Sequence, residues 1–182
     1  MILMPVVVLC SCRRDQSLYH ILLRALSNYG GVQAMLGNTL YTSCQDPHFT
    51  LFCTHSAPRA DNTKGVLVFD ENFKNAGSFP LSQGLIPVLE SNNKKAVSRL
   101  KDTSHIAITC GTGLRDTLSI ASLDDMRATI SLQRELTSIN GDAYEPHDFI
   151  AHLSQKTDVY PLLAVCGTLL LCGIKPEDGY YI

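Results

Sequence analysis

Charge is scarce in this 182-residue sequence: Asp, Glu, Lys and Arg make up 18% of it against 45% hydrophobic residues, and the net charge is −2. No basic run exceeds the pairs Arg13-Arg14 and Lys94-Lys95, which argues against nucleic acid and anionic membrane as partners. The seven cysteines, at positions 10, 12, 44, 53, 110, 166 and 172, include no CxxC pair and no finger-like spacing. That odd, scattered set reads as reduced thiols, so the expectation is a cytoplasmic protein without a metal site. Long apolar runs are missing as well. The stretch 1–9 is too short to span a bilayer, has no basic residue ahead of it and reaches Arg13-Arg14 without a small-residue cleavage site. It reads as a buried first strand. No linker, repeat or low-complexity segment breaks the chain, and its length suits a single domain over 1–182.

What the sequence does hold is a regular succession of short apolar segments. Val6–Leu9 is β-branched and uniformly apolar, as a parallel strand covered on both faces should be. Leu18, Ile21, Leu22, Ala25 and Leu26 then recur at helical spacing up to a stop at Gly30-Gly31. Leu51–Cys53 and Val66–Phe69 read as interior strands, with the loop 57–65 between them. Leu85–Leu89 predicts another strand, leading through Glu90-Ser91-Asn92-Asn93 into a helix over Lys94–Leu100. A strand over His105–Thr109 follows and closes on Cys110-Gly111.

From Thr117 the pattern turns to alternation. Leu118, Ile120 and Leu123, then Ala128, Ile130, Leu132 and Leu136, flank the acidic turn Asp124-Asp125 and predict an antiparallel hairpin. Asn140-Gly141-Asp142 marks a second turn, and Tyr144–Leu153 supplies a third strand. The segment Asp158–Gly173, stopped by Gly173 and Lys175-Pro176, predicts the most hydrophobic helix, packed on the sheet.

One segment lacks what its frame calls for. An apolar strand, a short polar turn and an amphipathic helix frame a phosphate-binding loop, in which glycines let backbone N–H groups close around phosphates, a lysine neutralises them and a hydroxyl holds Mg²⁺. The turn here, Ser11-Cys12-Arg13-Arg14-Asp15-Gln16-Ser17, has neither glycine nor lysine.

Taken in order, these segments make the chain resemble the central, ATP-binding domain of the Mur ligase family, which also includes folylpolyglutamate synthetase and cyanophycin synthetase. The family's first strand, G-T-N-G-K-T-T loop and helix lay without gaps on Val6–Leu26. Its strand ending in N-x-D-D matches Val88-Leu89-Glu90-Ser91-Asn92-Asn93, and its next strand, ending in glycine, matches Ile106–Gly111. The late helix, rich in Ala and Leu and ending in Gly-Ile or Gly-Val, matches Tyr160–Ile174. The resemblance covers nearly the whole chain. It implies a three-layer α/β fold: a mainly parallel sheet with helices on both faces and a small antiparallel β annex at about 117–153.

The departures shape the functional expectation. On the gapless overlay Ser11 and Arg14 stand at the loop glycines, Asp15 at the lysine, and Gln16 and Ser17 at the threonines. A carboxylate in the first turn of a helix accepts the N–H bonds and occupies the positive dipole end that a phosphate would use; Asp15 is expected to cap its own helix and to repel ATP. The family's metal-binding glutamate, sought at the end of the strand Phe52-Cys53-Thr54-His55, is replaced there by Thr54 or His55. Glu90, Asn92 and Asn93 replace Asn, Asp and Asp. The flanking substrate-recognising and closing domains usual in the family are expected to be absent, since the sequence opens at the first strand and ends just after the late helix.

The leading expectation is therefore a non-catalytic, Mur ligase-like domain that needs neither ATP nor Mg²⁺ and acts by binding or assembly. A homodimer or a separate protein partner would cover the faces its neighbours usually occupy, with Tyr180-Tyr181-Ile182 contributing. The alternative is a nucleotide or small-anion module whose crevice, at the carboxyl ends of the strands, is formed by residues 11–17, Glu90, Asn92, Asn93, Cys110, Gly111 and Gly113. Gly111 and Gly113 also suit a tight turn into the annex. A third reading makes Cys12, near a helix N-terminus, the nucleophile of a cysteine-dependent enzyme.

Overall fold

The computed structural model describes residues 4–11, 17–55, 63–74 and 81–182. In chain order they form β1 (Val6–Cys10), α1 (Ser17–Asn28), β2 (Val32–Leu36), β3 (Thr39–Thr42), β4 (Phe49–Thr54), β5 (Gly65–Phe69), β6 (Leu85–Glu90) and α2 (Lys94–Leu100). There follow β7 (Ile108–Gly111), β8 (Leu118–Leu123), β9 (Arg127–Leu132), β10 (Leu136–Thr137), β11 (Ala143–Tyr144), β12 (His147–His152), α3 (Val159–Leu171) and β13 (Tyr180–Tyr181). Among the described residues, eleven strands join one sheet in the order β13-β12-β9-β8-β7-β6-β5-β1-β4-β2-β3, while β10 and β11 pair apart as a small antiparallel ribbon. Neighbours from β8 through β2 run parallel. The annex strands β9 and β12 extend that same sheet antiparallel.

The alternation of side chains along a strand builds the three layers. Val7, Leu9, Val66, Val68, Val88, Ile108 and Cys110 face one way and share a core with α1 and α3. Val8, Cys10, Leu67, Phe69, Leu85 and Leu89 face the other way and pack with Phe73 and with Ala96 of α2. β1, buried on both faces, therefore has no polar side chain. Every residue of α3 from Tyr160 to Leu171 is buried, so a helix apolar on all sides lies in the interior. Gly167 lets it approach the sheet closely: a Cβ there would lie 3.0 Å from Leu118 Cδ1.

Several boundaries depart from the sequence reading. The hairpin β2–β3 occupies a region for which the sequence reading offers no strand. β7 starts at Ile108 rather than His105, and the third annex strand divides into β11 and β12 around the turn at 145–146. The closing tripeptide is not a free docking face. Tyr180 and Ile182 are buried in this chain's own core, and β13 pairs with β12, leaving Tyr181 alone exposed.

Candidate functional site

In a parallel sheet the strand polarity gathers every loop that follows a strand at one edge, and ligand crevices of open α/β sheets form there. β1, β5, β6 and β7 lie side by side, so Ser11, Asp70, Glu90 and Gly111 meet at that edge. The ladder continues into the loops: Ser11 N–H donates to Thr54 O at 3.0 Å, Asp70 N–H to Cys10 O at 2.9 Å, and Ser91 N–H to Cys110 O at 3.0 Å.

At the centre, the buried Ser11 hydroxyl donates to Asp70 Oδ2 at 3.1 Å. The other carboxylate oxygen, Oδ1, accepts the Asn72 N–H at 2.8 Å. The pair joins residues 59 positions apart. A buried carboxylate needs such donors, since leaving it unpaired is costly. On the far side of β1, His55 Nδ1 lies 2.8 Å from Ser11 O; a carbonyl only accepts, so the proton sits on Nδ1.

Asn93 ties the next loop to this centre. Its Oδ1 accepts Lys95 N–H and Ala96 N–H, both at 3.1 Å, and so caps α2. Its Nδ2 donates to Glu71 O at 3.1 Å and Asp70 O at 3.3 Å. Both ends of the side chain are engaged by the protein. Gly111 is held close by its neighbours: a Cβ would lie 2.5 Å from Asp116 Oδ2 and 2.6 Å from Ser91 Oγ. Gly113 N–H donates to the same Asp116 Oδ2 at 2.9 Å, and Asp116 N–H returns to Gly113 O, which closes a tight turn into the annex. Beneath the edge, the buried Tyr160 hydroxyl of α3 donates to Phe69 O.

The electrostatics are those of crowded acids. Glu71 is raised above the ordinary carboxyl value first by burial, then by the negative charges of Asp70, Asp158 and Glu90. Burial alone raises Glu90. Ser11, Asp70, Glu71, Glu90, Ser91 and Asn92, which close or directly follow β1, β5 and β6, carry no positive charge; Lys74 and Lys94 stand further along the segments that follow β5 and β6.

Ser11, Glu90, Asn93 and Gly111 thus lie at one edge; Asn92 is exposed beside them and Gly113 belongs to the turn. Ser17 is the first residue of α1. Cys110 is a correction: its side chain is buried on the α3 side of the sheet, where burial pushes its thiol well up, and it lines no crevice. Cys166 and Cys172 are core thiols too, the latter pushed up to about 12 by burial. Cys12, Arg13, Arg14, Asp15 and Gln16, with the expected Asp15 cap and the Cys12 nucleophile, lie outside the described residues. Among those described, no three His, Cys, Asp or Glu side chains are grouped to hold a metal, and no helix is long and apolar enough to cross a membrane.

Asp70 is the residue that the sequence reading missed. An acid was sought at the end of β4, but it stands on the other side of β1, at the end of β5. Its signal was the run Val66-Leu67-Val68-Phe69 closing on Asp70-Glu71, an apolar strand ended by an acid. In phosphate-loop proteins an aspartate so placed holds Mg²⁺.

No family model and no curated protein sequence matches this chain. Solved structures do. MurF from Acinetobacter baumannii superposes with a TM-score of 0.61 at 13% identity, over 96% of this chain and 44% of that one. The fold is Mur ligase-like. A structure of the UDP-N-acetylmuramoylalanyl-D-glutamyl-2,6-diaminopimelate–D-alanyl-D-alanyl ligase from the same organism gives 0.60 at 13% identity, over 96% and 44%. A UDP-N-acetylmuramoyl-L-alanyl-D-glutamate–2,6-diaminopimelate ligase gives 0.55 at 11%, over 94% and 43%. The chain spans less than half the length of these ligases, and the Mur ligase-like fold covers nearly all of it.

Proposed function

We propose that this chain is a Mur ligase-like module that has given up ATP-dependent ligation and works by binding protein, as a homo-oligomer or with a separate partner. The observation that carries this reading is the acid-rich edge. Where a phosphate-loop protein sets glycines and a lysine, this sequence has Ser11 to Ser17 with an acid at the lysine position. At the ends of β5 and β6, Glu71 responds to the charges of Asp70, Asp158 and Glu90. A nucleoside triphosphate brought there meets the like charge of these acids, and two of the described polar groups are already engaged: the Ser11 hydroxyl by Asp70, the Asn93 amide by α2 and two carbonyls.

Calorimetric titration of the whole chain with ATP, ADP, a UDP-sugar and inorganic phosphate, each with and without Mg²⁺, tests this reading. The expected result is no heat of binding with ATP in either condition. A Mg²⁺-dependent ATP signal would overturn it and make Asp70 the metal-facing acid of a working nucleotide site. A signal with phosphate alone would favour the small-anion module. Asp15→Lys by itself is expected to restore no ATP hydrolysis, because the loop glycines remain absent.

A further inference from the structure

We propose that a second copy of this chain docks edge to edge along β3, two antiparallel β3 strands joining the two sheets across a two-fold axis. This gives the assembly reading a contact surface and rests on that reading only for its biological purpose. Three observations converge on it.

The first is the open edge. β3 ends the order of the sheet, and all four of its residues are exposed. Ser43 N–H donates to Val32 O at 3.0 Å, and inward-bonding residues alternate along an antiparallel ladder. Thr39 and Tyr41 therefore bond to β2, while Leu40 and Thr42 turn their N–H and C=O groups outward. The second observation is an apolar row. Register places Val8, Phe52, Met35 and Leu40 side by side across β1, β4, β2 and β3, on the face opposite α1 and α3. Exposure climbs outward along it, from buried Val8 through Phe52 at 37% and Met35 at 43% to Leu40 at 64%. Among the described residues the helix on that face is α2, which packs on β6.

The third is charge. Edge strands are ordinarily guarded by lysines, prolines or bulges. β3 has none, and residues 25–45 contain no Asp, Glu, Lys or Arg at all. A neutral edge meets its own copy without repulsion, whereas a foreign strand selected by charge would find nothing to read. Two-fold pairing sets Leu40 opposite Leu40 of the second copy as a hydrogen-bonded pair. The row then runs unbroken from one sheet into the other, a self-complementary contact of the kind that closes at two subunits.

The test is sedimentation and light scattering of the full chain across micromolar concentrations. A dimer is expected, and Leu40→Lys should weaken it by about tenfold or more by setting like charges face to face. Leu114→Lys, at another exposed leucine, should leave it intact. Both positions are exposed, so an unchanged circular-dichroism spectrum verifies folding, whereas the melting temperature itself falls with loss of the dimer. In a Cys44→Ser background, Leu40→Cys should form an intermolecular disulfide under mild oxidation, since such pairs bring Cα atoms to about 5.5 Å. A chain monomeric at every concentration overturns the proposal, and so does a dimer that ignores Leu40→Lys and fails to cross-link. Neither result depends on nucleotide, so the docking surface and the loss of ligation fail separately.

Discussion

Gly111 shows how tightly individual residues fix the edge where the strands end. Its missing Cβ is the room taken by Asp116 Oδ2 and Ser91 Oγ, and the carboxylate cannot swing away without releasing Gly113 N–H. Gly111→Ala is expected to cost about 1–3 kcal/mol of stability through this overpacking, read as a lowered midpoint in urea with an unchanged slope; an unchanged midpoint would mean that Asp116 gives way freely. A reading of the sequence catches Gly111 as the end of a strand, because glycine after an apolar run is a local mark. It cannot catch the Ser11–Asp70 bond, since nothing local says that β5 and not β4 presents an acid to β1. Cys110 shows a subtler failure: proximity to two glycines suggested a crevice, but it shares a face with Ile108 and so belongs under α3.

Among the elements, α2 is short and depends on its cap. Asn93 bonds the first turn and at the same time holds the carbonyls of Asp70 and Glu71. Asn93→Ala is expected to cost about 1–2 kcal/mol, whereas Asn92→Ala, beside it and exposed, should change thermal stability little; equal losses would contradict the capping role. Elements with a strong period were legible: α1 through its apolar stripe, α3 through uninterrupted hydrophobicity, β8 and β9 through alternation. The β2–β3 hairpin was not. Its strands are weakly patterned because β3 is wholly exposed and β2 half so, leaving Gly37-Asn38 between them as the main trace, a two-residue turn signal. Burial writes the pattern that a reader follows, and an edge that nothing covers goes largely unwritten.

For the whole molecule, the acids at the strand ends tie stability to pH. Glu71 and Glu90 have folded-state values raised above the ordinary 4.5, so the folded chain holds these protons more tightly than the unfolded one. Their contribution is therefore a penalty, absent below about 4.5 and growing as pH rises through the folded values. The double variant Glu71→Gln, Glu90→Gln should melt slightly higher than the parent at pH 7, since solvent screens both partly exposed groups, and the gap should close toward pH 4.5. A gap that stays constant with pH would rule out titration as its source. The far edge of the sheet bears on a different matter. Tyr181 N–H donates to the Tyr29 hydroxyl at 2.8 Å, and Asn28 Nδ2 to Tyr181 O at 3.3 Å, while Tyr29 and Tyr180 meet edge to face. These contacts join residues more than 150 positions apart. On the ribosome, α1 emerges before β13 and must wait for it before this latch can close. The apolar side that α1 offers to α3 is thus uncovered while the long stretch between them is made, which exposes it to aggregation in that interval.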